Sequence, residues 1–256
     1  MSMIAISLQS GSNGNCIYVE TGGVRLLFDA GISGIQAERR LSERGREIRS
    51  VDAVIISHDH IDHIRYAGVY QRKYGIPVYV TPKTLDVAVQ RLALGRLNEI
   101  RHFRPGSTLT FGAVSVHTIP TPHDGAEGSA FVVSSGQKRL GILTDLGYTF
   151  EGLDRLVASL DAVFIESNYD PEMLDCGPYP TFLKRRIKGP GGHLSNVEAA
   201  ELLRTAGGRL QWACLAHLSG KNNHPDVAMR THRSIVTSNL RLYHADRHSA
   251  TGTLVV

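Results

Sequence analysis

The sequence has few cysteines, one tryptophan and no long apolar run. Three cysteines among 256 residues, with no Cys-x-x-Cys pair, argue against a disulfide framework. No apolar run approaches the roughly 18 residues that a transmembrane helix needs. The first residues lack a basic segment followed by an apolar one, so we expect no secretory signal. These absences predict a cytoplasmic protein without a membrane contact.

Charge of one sign is not in strong excess either. Lys and Arg number 28 against 24 Asp and Glu, which gives a net charge of +4. This balance permits an acidic partner such as nucleic acid without requiring one. Hydrophobic residues make up 42%, which is ordinary for a globular protein, and the chain is long enough to bury a core without disulfides. We predict one compact domain over residues 1–256.

Strand-like and helix-like patterns alternate along the chain, which predicts a fold of the α/β or α+β class. Residues 51–57 form an apolar run typical of a buried strand, and residues 108–119 read as one longer strand. Residues 196–206 and 226–238 have helical patterns, with Ser195 as the N-cap of the first. The 12 histidines are the abnormal component, and their positions decide the functional interpretation.

A cluster of histidines and carboxylates follows the predicted strand at residues 51–57. Its residues are His58, Asp59, His60, Ile61, Asp62 and His63. The alternating histidines can converge on one ion, and the Asp-His pair can face a second ion about one helical turn further on. Imidazole and carboxylate are suitable ligands for zinc, manganese or iron. A solvated polar loop is the alternative, but this spacing favours a metal site.

This HxHxDH string resembles the signature of the metallo-β-lactamase-fold hydrolases. In that family three further ligands follow in a fixed order, and His123, Asp145 and His217 each follow a predicted strand. The resemblance implies an α+β fold, a single αββα sandwich domain, with two divalent metal ions. It assigns His58, His60 and His123 to the first metal, Asp62, His63 and His217 to the second, and Asp145 to a bridge between them. A metal-bridging hydroxide is the implied nucleophile, which Asp62 could orient.

The segment Gly192-His193-Leu194-Ser195 resembles a His-Ser motif in phosphodiesterases of this family, of the tRNase Z and PhnP type. There the histidine lies beside the metals and interacts with the phosphate or protonates the leaving oxygen. His193 is therefore the candidate general acid, although it could instead only neighbour a helix cap. Glu166 matches a carboxylate that commonly backs this region. We expect it to orient His193 or a ligand histidine, unless it is a surface glutamate.

Within the family, the sequence most resembles the YycJ/WalJ branch, also called VicX. The resemblance rests on residues 8–16, 192–196 and 217–223 together with the metal motifs, and spans essentially the whole chain. It implies a bacterial cytoplasmic enzyme with 5′-to-3′ exonuclease activity on DNA, linked to replication or repair. Asp59 and Ile61 stand where Glu and Ser are more usual, but neither is a ligand position.

Two polar loops and one basic segment are candidates for substrate contacts. The Gly-rich loop could form an anion nest or be a plain turn, and the loop after His217 could line a groove or only fix its own shape. The candidate substrate-binding residues are Ser10, Ser12, Asn13, Asn15, Ser219, Asn222 and Asn223. Basic residues at 184–188 precede His193 and could contact phosphates. Tyr169, Tyr179 and Phe182 could stack on bases, although packing roles are the plainer interpretation.

The stretch between Asp145 and His217 is too short for a β-CASP domain, and we find no long arm of the kind that tRNase Z proteins use to grip tRNA. We therefore predict a compact metal-dependent phosphodiester hydrolase, a 5′-to-3′ DNA exonuclease whose partner is nucleic acid. A small-molecule or cyclic-nucleotide phosphodiesterase is one alternative, and a glyoxalase II-like thioesterase is another, which the His193 motif disfavours.

A third alternative is a nucleic-acid-binding module with a degenerate site, and the full set of ligands argues against it. The sequence leaves open the choice among Zn²⁺, Mn²⁺ and iron, because all accept His and Asp ligands. It also leaves open the protein partners and the oligomeric state, with a homodimer among the alternatives.

Overall fold

The computed structural model describes residues 2–237 and 239–256. Its strands form two seven-stranded sheets. The first sheet contains β1 (Ile4–Gln9), β2 (Cys16–Thr21), β3 (Val24–Phe28), β4 (Ala53–Ile55), β5 (Val78–Val80), β6 (Ile100–His102) and, from the far end of the chain, β14 (Leu254–Val255). The second contains β7 (Thr108–Phe111), β8 (Val114–Pro120), β9 (Ser129–Ser135), β10 (Lys138–Leu143), β11 (Ala162–Glu166), β12 (Trp212–Ala216) and β13 (Arg241–His244).

Helices cover the outer faces of both sheets. The helices of the described chain are α1 (Gly34–Ser42), α2 (Ile61–Ile64), α3 (Ala67–Tyr74), α4 (Pro82–Arg91), α5 (Leu153–Ala158), α6 (Pro171–Cys176), α7 (Thr181–Lys188), α8 (Asn196–Ala206) and α9 (Pro225–Ile235), of which α7 has no buried residue. No helix in the described part of the chain is both long and apolar enough to cross a membrane.

Each sheet is antiparallel on one side and parallel on the other. The first has the order β14-β1-β2-β3-β4-β5-β6 and is parallel from β3 to β6. The second has the order β13-β12-β11-β10-β9-β8-β7 and is parallel from β10 to β13. Because parallel strands end at the same edge of a sheet, the residues that follow them are brought together there.

Buried apolar side chains form three layers, which explains the order helix, sheet, sheet, helix. In β11, Ala162 and Phe164 point to the other sheet, whereas Val163 and Ile165 point to the helices, as the period of two in a strand requires. Phe28 and Phe131 meet across the two sheets with ring centroids 5.1 Å apart. The predicted αββα sandwich is confirmed.

Element predictions agree with the structure except at a few places. The helix at 196–206 is confirmed, and Ser195 caps it by accepting from the backbone N–H of Glu198. The single strand predicted at 108–119 is wrong, because a turn at Gly112, with φ of 57°, divides it into β7 and β8. The helix predicted at 226–238 ends at Ile235 in the structure, and its predicted last residue, Ser238, lies outside the described residues.

Candidate metal centre

Polar side chains follow the buried parallel strands of both sheets at the edge where these strands end. Asp29 follows β3 and His58 lies beyond β4 in the first sheet. Asp145 follows β10, Glu166 ends β11 and His217 follows β12 in the second sheet. Since the two sheets pack face to face, this edge gathers ionisable groups from distant parts of the sequence.

His58, His60 and His123 form the first ligand group. Each offers a ring nitrogen within 4.8 Å of the others. The Nε2 atom of His123 lies 3.3 Å from Nδ1 of His60, while its Nδ1 donates to the Gly192 carbonyl at 2.8 Å. The Nδ1 atom of His58 lies 2.9 Å from the Ser57 hydroxyl, which leaves its Nε2 for a ligand.

Asp62, His63 and His217 form the second group, again with donor atoms within 4.8 Å of one another. Asp62 and His63 share the single turn of α2, which places both side chains on the site. The Oδ2 atom of Asp62 lies 3.5 Å from Nε2 of His63 and 3.5 Å from Nε2 of His217. The ring of His63 donates from Nδ1 to Oδ2 of Asp29 at 2.7 Å, so its Nε2 faces the group.

Asp145 lies between the two groups. Its Oδ2 atom is 3.5 Å from Nε2 of His63, and its Oδ1 atom is 3.7 Å from Nε2 of His123. The backbone of Asp145 has a φ of 60°, in the left-handed region that non-glycine residues rarely adopt. Such strain is common where a side chain must be aimed at a functional site.

Several of these donor atoms are buried without a hydrogen-bond partner in the described part of the protein. They include Nε2 of His58, Nε2 of His217 and both side-chain oxygens of Asp145. An unpaired buried carboxylate is unfavourable, and metal coordination is one of the arrangements that offsets it. The donor set of imidazoles and carboxylates, and its division into two groups around Asp145, therefore fits divalent metal ions.

Glu166 is fully buried and holds two imidazoles with one oxygen. Its Oε1 atom accepts from Nδ1 of His193 at 2.8 Å and from Nδ1 of His217 at 2.9 Å. Its Oε2 atom accepts from the backbone N–H of Leu146 at 2.8 Å and of Leu194 at 3.2 Å. Glu166 is thus buried and not a surface residue. It contacts both His193 and the candidate ligand His217, the two kinds of partner that the sequence analysis considered.

The charges of the site favour the metal-binding protonation state for Asp145 and His58 and oppose it for His63 and His217. Burial by itself would raise the pKa of Asp145, but His217 and His63 beside it hold that pKa well below its usual range. Burial lowers the pKa of His58 well below its usual value, with His63 contributing in the same direction. At neutral pH Asp145 is ionised and His58 is neutral, and each can bind a cation. Burial by itself would lower the pKa of both His63 and His217, but Asp145 and the other carboxylates beside them raise that of His63 to about 9 and that of His217 well above its usual value, so a metal ion must displace a proton from each.

The predicted substrate-binding residues occupy two kinds of position. Ser12 and Ser219 line the cleft over the ligand groups, and Asn13 is exposed beside them. Ser10, Asn15, Asn222 and Asn223 are instead buried in the loops. Of these, Ser10 accepts from the N–H of His217 at 2.8 Å, and the amide nitrogen of Asn15 lies 3.2 Å from Oδ2 of Asp62. Asn223 donates to the carbonyls of Ser167 and Asn168, whereas both polar side-chain atoms of Asn222 are buried without a hydrogen-bond partner among the described residues.

Asp29 is the main residue that the sequence analysis missed. Besides His63, it accepts from the backbone N–H of Ser57 at 2.7 Å and from the Ser57 hydroxyl at 3.0 Å. Its position directly after an apolar strand was a usable signal. Gly31 is needed nearby, because a Cβ at this residue would lie 1.7 Å from the carbonyl oxygen of Asp62.

A cleft of about 330 Å³ opens over the two ligand groups. His60, Asp62, Asp145, His193 and His217 form its floor and wall, and Tyr179, Leu183, Arg186 and Ile187 border it. A larger cavity of about 750 Å³ lies between α5 and α8 and is lined by none of the candidate metal ligands. The chemistry of the side chains, rather than cavity size, identifies the smaller cleft as the candidate active site.

Residues 24–217 match the family described as the beta-lactamase superfamily domain. The chain is 37% identical over 227 residues to exodeoxyribonuclease WalJ of Streptococcus pneumoniae serotype 2 (strain D39 / NCTC 7466), covering 88% of this chain and 84% of that protein. It is 35% identical over 222 residues to exodeoxyribonuclease YycJ of Bacillus anthracis, covering 86% and 84%.

Among solved structures, the metallo-beta-lactamase fold protein YhfI from Bacillus subtilis has a TM-score of 0.76 to this chain. That likeness covers 98% of this chain and 99% of YhfI at 17% sequence identity, so it bears on the fold alone. The family match and the identity to WalJ and YycJ extend over most of the sequence. The chain therefore belongs to the beta-lactamase superfamily and has the metallo-β-lactamase fold.

Proposed function

We propose that the protein is a metal-dependent phosphodiester hydrolase that degrades DNA stepwise from a 5′ end. Two relatives that match more than four fifths of the chain are named exodeoxyribonucleases, which supports DNA as the substrate. The polarity of degradation rests on the family resemblance seen in the sequence. The protein thus acts as an enzyme on nucleic acid, and we place it in the cytoplasm as one domain over residues 1–256.

The arrangement of His193 and Glu166 is the observation that carries this proposal. Glu166 accepts the Nδ1 proton of His193, so Nε2 is the nitrogen available to a substrate in the cleft. A histidine oriented in this way can donate a proton to a leaving oxygen. A sugar alkoxide is a poor leaving group and needs that proton, whereas the thiolate released by a thioesterase does not. The geometry therefore favours phosphodiester over thioester hydrolysis.

We assign His58, His60 and His123 to one divalent metal ion, Asp62, His63 and His217 to a second, and Asp145 to both. These ligands accept Zn²⁺, Mn²⁺ or iron, so the metal that is available to the protein determines which one is bound. Bound ions would activate water as a nucleophile and stabilise the charge that develops on the phosphoryl oxygens. Asp62 and His193 both line the cleft, and we assign to Asp62 the orientation of the attacking water and to His193 the protonation of the leaving group.

The surroundings of the cleft suit a nucleic-acid strand. Helix α7 borders the cleft and carries Lys184, Arg185, Arg186 and Lys188 on a segment without buried residues. Arg186 pairs with Asp124 and Lys188 with Asp175, whereas Lys184 and Arg185 have no carboxylate partner among the described residues. Phe182 on the same helix is 74% exposed and could stack on a base. Basic and aromatic side chains in combination are typical of single-strand binding, which needs both phosphate contacts and stacking.

A small-molecule or cyclic-nucleotide phosphodiesterase is the second candidate function. The cleft volume of about 330 Å³ favours it, because this is near the lower limit of small-ligand pockets. The same volume admits a terminal nucleotide of a longer strand. Only a longer strand would extend from the cleft along the basic helix α7 and contact its side chains. We therefore rank the exonuclease first.

An end-labelled nuclease assay tests the proposal. The purified protein is loaded separately with Mn²⁺ and Zn²⁺ and given single- and double-stranded DNA, matching RNA and bis-p-nitrophenyl phosphate. We expect stepwise loss from the 5′ end of DNA, and a fall of about 100- to 10,000-fold in kcat for His193→Ala. The fall should be smaller on bis-p-nitrophenyl phosphate, whose leaving group needs little protonation.

The matched control is His224→Ala, which removes an exposed histidine outside the cleft. Hydrolysis of bis-p-nitrophenyl phosphate with both polymers intact would shift the assignment to a small-molecule phosphodiesterase. Hydrolysis of none of these substrates, by a protein shown to contain metal, would overturn phosphodiester hydrolysis altogether.

A further inference from the structure

Arg247, in the loop between β13 and β14, contacts a residue that lines the cleft. Its Nη1 atom donates to the Ser12 hydroxyl at 3.2 Å and to the Leu218 carbonyl at 2.9 Å. Ser12 lines the cleft, and Leu218 directly follows the ligand His217. The side chain of Asn13 donates to the carbonyl of Arg247 at 2.9 Å, which ties the loop in place from the other side.

Two glycines make room for the guanidinium group. A Cβ at Gly11 would lie 2.8 Å from Nη1 of Arg247, and a Cβ at Gly220 would lie 2.8 Å from its Cζ. Both distances are shorter than real Cβ contacts, so any other residue would displace the side chain. The loops that contain Gly11 and Gly220, both of which carry candidate substrate-binding residues, therefore form a slot for the side chain of Arg247. The sequence alone does not reveal this reason for the two glycines.

No ion pair with another described residue neutralises the charge of Arg247. Among the residues that the structure describes, its hydrogen bonds go to a hydroxyl and a carbonyl and none to a carboxylate. By contrast, Arg186, which lines the cleft, pairs with Asp124 at 2.5 Å. Burial lowers the pKa of Arg247, whereas Tyr179 and Asp62 on the cleft wall raise it, which reflects how near its charge is to the cleft.

The remaining donors of this guanidinium suit an anion. Its Nε and Nη2 atoms have no hydrogen-bond partner within the described chain, while Nη1 is fixed by two acceptors. A planar guanidinium held in this way can donate in parallel to two oxygens of a phosphate. Preorganisation favours binding, because little side-chain freedom is lost when the anion arrives.

We propose that Arg247, held in the slot between Gly11 and Gly220, binds a phosphate of the nucleic-acid strand next to the scissile one and so determines specificity for polymers. The inference rests on the proposed phosphodiester hydrolysis and deepens it. A strand then contacts the protein at two points, with its scissile phosphate over the ligand groups and a neighbouring phosphate at Arg247. A small phosphodiester reaches only the first point.

The test compares Arg247→Ala and Arg247→Lys with the control Arg230→Ala, which removes an exposed arginine on α9. We expect Arg247→Ala to lower kcat/KM on single-stranded DNA about 10- to 100-fold. The loss on bis-p-nitrophenyl phosphate should be much smaller, so the ratio of the two rates falls. Arg247→Lys should recover part of the loss, since it keeps the charge without the two-pronged donor.

Binding without turnover gives a second readout. Anisotropy of labelled single-stranded DNA with metal-free protein yields the slope of log affinity against log salt. Loss of one phosphate contact should reduce that slope by about 0.7 for Arg247→Ala, whereas Arg230→Ala should match the parent protein. Gly220→Ala keeps every charge but displaces the guanidinium, and we expect its DNA affinity to fall as well.

Oligonucleotides with a 5′-phosphate or a 5′-hydroxyl identify which phosphate is bound. A loss confined to the 5′-phosphorylated strand assigns Arg247 to the terminal phosphate, and an equal loss on both assigns it to an internal one. Equal losses on DNA and bis-p-nitrophenyl phosphate would overturn the inference and make Arg247 a structural residue. An unchanged DNA rate and slope would overturn it too. A parent protein inactive on every substrate would count instead against the proposed function.

Discussion

Single hydrogen bonds decide which nitrogen of each histidine faces the cleft. Asp29 holds Nδ1 of His63, and Glu166 holds Nδ1 of both His193 and His217. Each bond fixes a tautomer and a ring orientation, so Nε2 is left for a metal ion or a substrate. The carboxylates behind the ligands are therefore as necessary to the geometry as the ligands themselves.

Replacing Glu166 tests this arrangement at one residue. We expect Glu166→Gln to lower metal affinity about 10- to 100-fold, because the amide cannot accept from both imidazoles with the strength of a carboxylate. DNA hydrolysis should fall further, since His193 also loses its partner. Metal affinity is measured by competition with a chromophoric chelator. Glu151→Gln, at an exposed position, is the control, and an unchanged affinity in Glu166→Gln would contradict the positioning role.

The candidate ligands could be picked out at this scale because each carries a visible pattern. His58, Asp145 and His217 all follow apolar runs that read as buried strands. Asp29 follows such a run as well, but no histidine stands beside it in the sequence. The role of Arg247 could not be predicted, because its slot combines the loop at Ser12, 235 residues away in the chain, with the loop at Leu218, 29 residues away. Loop contacts of that range depend on the complete fold.

Secondary-structure elements were predictable where they bury an apolar face. Helix α8 has six buried residues and a capping box at Ser195, and its bounds follow from the sequence. Helix α7 is only eight residues long, has no buried residue and carries four basic side chains, so from the sequence it reads only as a basic cluster. The exposed position of α7 beside the cleft is what suits it to a substrate strand.

Helix α9 carries a buried histidine outside the metal centre, His232. Its Nδ1 donates to the Ala228 carbonyl at 2.9 Å, and its Nε2 is buried without a partner. Burial lowers the pKa of His232 to about 4. Between pH 6.5 and 4 the unfolded chain therefore binds a proton that the folded chain excludes, so this histidine reduces stability as the pH falls through that range.

We expect His232→Gln to remove this pH dependence. The free energy of unfolding of the parent protein should decrease from pH 6.5 to 4 by up to about 3 kcal/mol more than that of the variant. Urea unfolding at several pH values, with both proteins free of metal, measures the difference. His117→Gln, at an exposed position, should follow the parent curve. If the free energy of unfolding depended on pH in the same way for His232→Gln and the parent, burial would not lower the pKa of His232, and the prediction would be wrong.

At the scale of the whole molecule, the metal centre joins the two halves of the sandwich. His58, His60, Asp62 and His63 follow a strand of the first sheet, and His123, Asp145 and His217 follow strands of the second. The order of these candidate ligands is visible in the sequence. It resembles that of the metallo-β-lactamase-fold hydrolases, and the αββα sandwich was predicted from this resemblance. How the two edges meet was not readable, because it depends on packing between sheets.

Removal of metal should therefore weaken the whole fold. A ligand present at 100 times its dissociation constant contributes about 2.7 kcal/mol, so chelation should lower the Tm by about 5 to 10 °C. Scanning calorimetry of the protein with and without chelator measures this shift, and added Zn²⁺ or Mn²⁺ should reverse it. Asp145→Ala should show little further change with chelator, and an equal shift in that variant would contradict a role for Asp145 in holding metal.

The most direct test of the account is to measure bound metal and DNA hydrolysis on one sample of the parent protein and of Asp145→Ala. We predict about two ions per chain and stepwise release of nucleotides from the parent, since Asp145 lies between two ligand groups. Asp145→Ala should lose both metal and hydrolysis. Full hydrolysis by Asp145→Ala, or by a parent protein stripped of metal, would contradict the assignment of a two-metal phosphodiester hydrolase.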